Sequence, residues 1–522
     1  LEISRKTPGN TFVTIPLPLS ILGGQEVVLS GEIAHEAISK KPKSHNGVKM
    51  MLVITSFHGN TRYLQVPTRE GDSDWKRYAL KVEIPSDARK LELYLGLEGV
   101  SGTAKFRNIQ FSEPKPQIDH SRSIITGELD RSNAVSYKPG EPMKFRFRIL
   151  QSGKPIGGRL RVVVAGDDGS RRENEYDLSA DCPLELSASL SQPGFVMAEA
   201  KLIDEYGNEI QRKRGNSMKA VQFGLAAGVQ PEKLTQAVAE PADFDKFWES
   251  AKAELKAAPL RVLERKLFKT TQNSHIYDVK LSAPGPRPTV GSLAIPKDAQ
   301  KKSLPLHIQF DGYGVRDIVA QDEPGKIVFF VGPHGVDLHR EPAFYDKLFN
   351  GELYGYGFDD RQNENPHDCY FKYMILRDLR AVQYAVTLPE WDGRNLTIAG
   401  GSQGAFQAAA VTALTPEATR CELEIPWFCE LGGITAGRIR GWRPNWKKGL
   451  GYYDTVNFAR RIKCPVQIEA GLSDWVCPPS GVWCLYNVLP GSKRMKMFQG
   501  RNHGPYFGYD QKKAPFVEVN QQ

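Results

Sequence analysis

Ser402 stands in Gly400-Gly401-Ser402-Gln403-Gly404, between the apolar run Leu396-Thr397-Ile398-Ala399 and the alanine-rich run that follows Gly404. A serine on a sharp strand-to-helix turn needs small residues two positions to either side. It then projects above the sheet at a helix N-terminus, where developing negative charge is favoured. A serine hydroxyl is a weak nucleophile until a base takes its proton, so a histidine held by an acid should follow it in the order Ser, Asp, His. Of the ten histidines only His503 lies downstream. Asp474 and Asp454 both follow the serine. Asp454 precedes an apparent helix over 456–461, where a capping role suits it better, so Asp474 is the expected acid. Ester cleavage also needs donors for the tetrahedral oxyanion. The backbone N–H of Gln403 is one candidate, and the N–H of Tyr313 in Asp311-Gly312-Tyr313-Gly314 is the other.

These residues need a sheet to bring them together. Leu306 to Phe310, Pro465 to Gly471 and Arg494 to Phe498 read as buried strands, and each ends just before one of the proposed functional loops. The edge formed by the C-terminal ends of parallel strands is where ligands bind in open α/β sheets. Before them, Pro241 to Trp248 opens a segment of helical apolar spacing that begins at an acidic residue and runs to about Leu255. From about residue 225 onward, strands alternate with helices, the pattern of a mostly parallel sheet covered on both faces.

The first 224 residues read differently. Short β-rich runs such as Glu26 to Ser30, Met50 to Ile54 and Leu91 to Leu95 are separated by turn residues, a sandwich pattern for residues 1–117. Trp75 to Tyr78, Lys90 to Tyr94 and Ser101 to Phe106 resemble the closing strands of jelly-roll carbohydrate-binding modules. The segment Ser112-Glu113-Pro114-Lys115-Pro116-Gln117 is an extended linker. Residues 118–224 form a second β-rich unit, with strands at Lys144 to Arg148 and Leu160 to Val164, for which an immunoglobulin-like sandwich is the simplest reading. The expected fold class is therefore two N-terminal β-sandwich domains followed by an α/β domain over 225–522.

At 522 residues the chain exceeds one hydrophobic core. Its net charge is +9, but Lys40-Lys41-Pro42-Lys43, Arg171-Arg172 and Trp446-Lys447-Lys448 are short runs, without the basic, aromatic-interleaved stripe of a nucleic-acid groove. No nucleic-acid partner is expected, and no stretch is long and apolar enough to span a bilayer. The seven cysteines lack paired zinc spacing and read mostly as buried packing residues, with a bridge or two open; Cys477, three residues after Asp474, reads as packing rather than as a reactive thiol. The sequence starts at Leu1 without a leader, the pattern expected of a processed or truncated form.

Asp243-Phe244-Asp245-x-Phe247-Trp248, Gly312-Tyr313-Gly314, Gly400-Gly401-Ser402-Gln403-Gly404, Gly471-Leu472-x-Asp474-x-x-Cys477-Pro478-Pro479-Ser480 and Asn502-His503 together resemble the acetyl xylan esterase and cephalosporin C deacetylase family over residues 240 to 510. The resemblance implies an α/β-hydrolase fold and a metal-free serine hydrolase without cofactor that deacetylates xylan-derived sugars. It implies Ser402, Asp474 and His503 as triad and the Tyr313 and Gln403 N–H groups as oxyanion hole. The expected partner is an acetylated plant polysaccharide or oligosaccharide, and the expected location is secreted or periplasmic; the oligomeric state stays open. Two departures fall near the pocket: Asp311 replaces a histidine, and Gly332-Pro333-His334-Gly335-Val336-Asp337 replaces an Asp-Arg-Gly segment. Trp427, Phe428, Trp475 and Tyr506, with His334, are read as pocket lining, core packing being equally open. Alternatives on the same residues are a glucuronoyl esterase, a peptidase, or a glycan-binding protein whose working part is the N-terminal region.

Overall fold

The computed structural model describes residues 1–114, 119–215 and 217–521. The linker residues 115–117 lie outside the described residues. Residues 1–112 form one six-stranded antiparallel sheet that wraps around a core of its own, including Leu29, Ile33, Leu52, Leu93 and Phe106. Its central strand, Ala88–Ser112, is 25 residues long and pairs with three others. The sequence reads Leu91–Leu95 and Ser101–Phe106 as separate strands. Gly99 at φ 67° bends the chain without ending the ladder, so one strand serves both.

In the second unit two four-stranded sheets face each other across a shared core. Phe145, Phe147 and Ile149 come from one sheet, and Val162, Ala198 and Leu225 from the other. Its last strand, Gln222–Val229, runs past residue 224, because the small residues Gly224, Ala226 and Ala227 fit a buried edge strand rather than a linker.

The rest of the chain is built on a ten-stranded sheet. Its strands are β1 (Val262–Thr270), β2 (Ser274–Leu281), β3 (Thr289–Pro296), β4 (Leu304–Phe310), β5 (Ile327–Gly332), β6 (Trp391–Gly401), β7 (Arg420–Glu424), β8 (Val466–Gly471), β9 (Lys493–Phe498) and β10 (Phe516–Gln521). Their spatial order is β1-β2-β3-β5-β4-β6-β7-β8-β9-β10. Strands β5, β4, β6, β7, β8 and β9 run parallel, and the flanking pairs are antiparallel. Apolar side chains such as Ile308, Phe310, Ile398, Leu423 and Ile468 are fully buried, as a parallel sheet covered by helices requires.

Helix α1 (Phe244–Ala257) buries Phe244, Phe247, Trp248, Ala251 and Leu255, the stripe its spacing predicts. Asp243 does not cap it; its carboxylate accepts a hydrogen bond from the Tyr452 hydroxyl. The other helices are α2 (Pro342–Phe349), α3 (Phe371–Ala385), α4 (Gln403–Leu414), α5 (Thr455–Ala459) and α6 (Pro479–Val488). Ala405, Ala408, Ala409 and Ala410 of α4 are completely buried, and their short side chains let the helix lie close to the sheet. All seven cysteines are free thiols, so no bridge forms among the described residues. No helix is long and apolar enough to cross a membrane among these residues.

Candidate active site

Four loops meet at the C-terminal edge of the parallel strands, one each after β4, β6, β8 and β9. Ser402 follows β6 with φ 56° and ψ −120°, a conformation costing a non-glycine residue about 1 to 3 kcal/mol. The neighbouring glycines make the turn feasible. A Cβ on Gly400 would sit 2.2 Å from the Gly404 carbonyl oxygen, and one on Gly404 would sit 2.2 Å from that of Phe310. The Ser402 N–H donates to the Glu424 carbonyl at 2.8 Å, and its own carbonyl accepts from the Trp427 N–H at 3.2 Å, fixing the strained residue from both sides.

The His503 Nε2 lies 3.0 Å from the Ser402 hydroxyl, and its Nδ1 lies 3.0 Å from Asp474 Oδ2. With the ring proton on Nδ1 and donated to Asp474, Nε2 is free to accept from the serine. The other carboxylate oxygen of Asp474 accepts from the N–H groups of Val476 and Cys477 at 2.7 and 2.9 Å. The Asp474 side chain is 1% exposed and that of His503 30%: the acid is sealed and the imidazole can reach water. Asp454, the rival acid, instead caps α5 through the Val456 N–H and also accepts from Glu430 and Leu431; burial pushes its carboxyl up to about 6.

The Gly312-Tyr313-Gly314 loop follows β4 at the same edge. The Gln403 N–H is the first of α4 and has no intrahelical acceptor. The Tyr313 N–H has no acceptor among the described residues. A buried clamp joins these two segments. The Gly314 N–H donates to the Tyr356 hydroxyl at 3.0 Å, and that hydroxyl donates to Gln403 Oε1 at 2.9 Å. The chain continues from Gln403 Nε2 to Gln407 at 3.2 Å and from Gln407 to Asp378 at 2.9 Å. The Tyr313 and Tyr356 rings stack at 4.3 Å.

His334, read from sequence as pocket lining, is 1% exposed. Its Nδ1 meets the Tyr370 hydroxyl at 2.7 Å and its Nε2 the Gly314 carbonyl at 3.0 Å, so it supports the Gly312-Tyr313-Gly314 loop. Burial and nearby arginines push its pKa down to about 3, keeping it neutral. Asp311, the other departure, takes both oxygens to Arg316 at 2.8 Å each. Trp427 and Tyr506 are also buried, at 2% and 5%, and do not line an open pocket. Trp427 donates its indole N–H to the Trp442 carbonyl at 2.6 Å. Phe428 packs in the same aromatic cluster, and Trp475 alone of the five is partly exposed. Trp442, which the sequence reading missed, is 41% exposed and stands edge-on to Tyr313 at 4.6 Å. An isolated tryptophan after Gly441 carries no local signal.

Cys477 lies beside the acid, and together Asp474, Cys477 and His503 bring three ligand-type atoms within 4.8 Å of one another. The donor set does not suit a metal ion. Burial and the Asp474 charge hold the thiol well above its usual range, so it stays protonated, and the carboxylate already accepts three N–H groups. Two surface clefts of about 540 and 560 Å³ share no residue with this cluster.

The family model described as "Acetyl xylan esterase (AXE1)" matches residues 232–436 and 445–519. The chain belongs to the acetyl xylan esterase family. The esterase is 31% identical over 384 residues to acetyl esterase Axe7A of Xylanibacter ruminicola, covering 68% of this chain and 82% of that relative. Among solved structures it is similar to the acetyl xylan esterase from Paenibacillus sp. R4 (23% identity, 52% of this chain and 93% of that chain, TM-score 0.42). It is also similar to acetyl xylan esterase 1 from Thermoanaerobacterium sp. JW/SL YS485 (23% identity, 53% and 94%, TM-score 0.45). As a member of this family the esterase is a carboxylic ester hydrolase with an α/β-hydrolase-like fold.

Proposed function

We propose that this esterase removes O-acetyl groups from xylan or related polysaccharides and oligosaccharides through a covalent acetyl-enzyme on Ser402. The observation that carries the reading is the continuous line of hydrogen bonds from Ser402 through His503 to Asp474. His503 takes the serine proton as Ser402 attacks the acetyl carbonyl, and Asp474 stabilises the imidazolium that forms. The tetrahedral oxyanion sits between the N–H groups of Tyr313 and Gln403, fixed donors that need no rearrangement as charge develops. Collapse of this intermediate expels the sugar alkoxide, which takes the proton from His503. The same histidine then deprotonates water to release acetate.

In this reading the first unit is a jelly-roll-like β-sandwich, the second, its last strand ending at Val229, an immunoglobulin-like β-sandwich, and the rest of the chain the hydrolase domain. An acetylated plant glycan as substrate fits a secreted or periplasmic location. The test is acetate released from acetylated xylan by the wild-type protein and by Ser402→Ala. Release by the wild type and a loss of at least ~10⁴-fold in the variant are expected. Equal rates would overturn the serine mechanism; turnover of a glucuronoyl ester in place of acetylated xylan would overturn the substrate class.

A further inference from the structure

The loop that carries His503 is packed against the second β unit. Gln499 exchanges two hydrogen bonds with the backbone of Ala226 in the strand Gln222–Val229. In the same strand a Cβ on Gly224 would stand 2.5 Å from the Tyr506 hydroxyl and 2.9 Å from Ser473 Cβ, so the strand lies directly on the two loops that bear base and acid. The Phe223 ring is 5.5 Å from that of Tyr506.

Two polar side chains of the second unit reach the His503 loop: Arg214 donates to the Pro505 carbonyl, and Glu199 meets Asn502 beside the histidine. Glu199, on the strand Gly194–Ile203, accepts from the Tyr506 hydroxyl at 3.3 Å and from the Asn502 amide at 3.5 Å. The amide oxygen of Asn502 in turn accepts from the N–H of His503 at 2.7 Å and of Trp475 at 3.1 Å. Asn502 therefore ties the residue bearing the imidazole to the residue that follows Asp474. It can do so only with its NH₂ turned outward, and Glu199 is the acceptor that holds it there. Burial raises the Glu199 carboxyl, and the residue is partly exposed.

We propose that Glu199 is a positioning residue for catalysis: through Asn502 and Tyr506, the second β unit sets the alignment of His503 with Asp474. This rests on the reading of His503 as general base. A hydrogen bond misaligned by a fraction of an ångström at a proton-transfer site lowers turnover more than substrate binding. The expected signature is a fall in kcat at nearly constant KM.

The test uses the full chain and 4-nitrophenyl acetate, with kcat, KM and melting temperature measured on each variant. Glu199→Leu removes the acceptor at similar volume and is expected to lower kcat about tenfold with KM within twofold. Glu199→Gln keeps an acceptor oxygen and is expected to stay within about threefold of wild type. Glu185→Ala, an exposed site elsewhere in the same unit, is expected to change nothing. Should Glu199→Leu not fold, Asn502→Ala removes the relay from the hydrolase side and is expected to show the same loss of kcat. Wild-type kcat in folded Glu199→Leu, or in Asn502→Ala if that variant must stand in, overturns the proposal. So does a Glu199→Gln loss equal to that of Glu199→Leu. His503→Ala separates the two readings: if it retains wild-type rates, the base assignment itself fails, whatever Glu199 does.

Discussion

The two sides of the site are held by different means. On the proposed oxyanion side, Gly314, which follows Tyr313, and Gln403 are joined by the Tyr356 hydroxyl, and the network runs inward through Gln407 to Asp378 and, from the Gly314 carbonyl, to His334. Every partner belongs to the sheet domain and is buried or nearly so. On the base side, Arg501 anchors the start of the His503 loop to Glu424 and Glu469 within the same domain. On either side of Arg501 the loop leans on the second β unit, Gln499 on Ala226, and Asn502 and Tyr506 on Glu199, Phe223 and Gly224. The groups that present fixed dipoles in the proposed mechanism are built into the core. The group that moves a proton in the proposed mechanism is fitted against the second β unit. Preorganised donors gain from rigidity and a low dielectric, whereas the base needs alignment together with access to water.

The largest effect expected inside this comparison comes from Asp474→Asn. An asparagine can take the two N–H donors on one oxygen, but it turns its NH₂ toward Nδ1 and imposes the wrong imidazole tautomer. A fall in kcat of about 10³ to 10⁴ follows, with little change in melting temperature. Esterase rates on purified protein check it; a loss below tenfold would show that His503 does not depend on this acid.

Tyr356→Phe tests the other side. Removing the hydroxyl leaves the Gly314 N–H and Gln403 Oε1 unpaired in a buried place, at a cost of about 1 to 3 kcal/mol in stability. It also frees the Tyr313 loop to drift from Gln403. A drop in kcat of about tenfold is expected, since a lost oxyanion donor costs about 10² to 10³ and here the donor is displaced rather than removed. The informative combination is Tyr356→Phe with Glu199→Leu. Independent sides give multiplicative losses, and a double variant no worse than the poorer single would mean that both act on one shared geometry.

Most of the proposed reacting residues were legible in the sequence because their signals are local. Ser402 announces itself by glycines two positions away, and Asp474 and His503 by standing just after apolar strands. Their supports were not legible. Tyr356, Asp378 and Gln407 meet Gln403 and the oxyanion loop only after three elements fold together. Glu199 is 303 residues from Asn502 in the chain. Composition also misleads about exposure: Trp427 and Tyr506 have the look of a sugar pocket and are packed away, while Trp442 stands at the surface beside Tyr313. The long strand Ala88–Ser112 escaped notice because glycine spells both a turn and a bend within a ladder.

The smallest effect expected concerns stability rather than rate, and it probes how dry the oxyanion side is. His334 is neutral when folded, with its pKa pushed down to about 3, and returns to the ordinary histidine value near 6.5 when the chain unfolds. Below pH 6.5 the unfolded chain therefore takes up a proton that the folded chain refuses. Stability from this group is full above pH 6.5 and is lost as pH falls toward 3, by up to about 1.4 kcal/mol per pH unit. Asp378 and Glu430, both raised to about 7, work with the opposite sign, since their folded forms keep a proton that the unfolded chain releases above about pH 4. The net slope mixes these groups, so the difference between two proteins isolates the histidine. His334→Asn cannot make both hydrogen bonds and should melt below wild type at pH 7.5. That gap should narrow steadily as pH falls to 4.5, because only the wild type pays the protonation penalty. A gap that stays constant over this range would mean that water reaches His334, and that the oxyanion side is no better sealed than the base side.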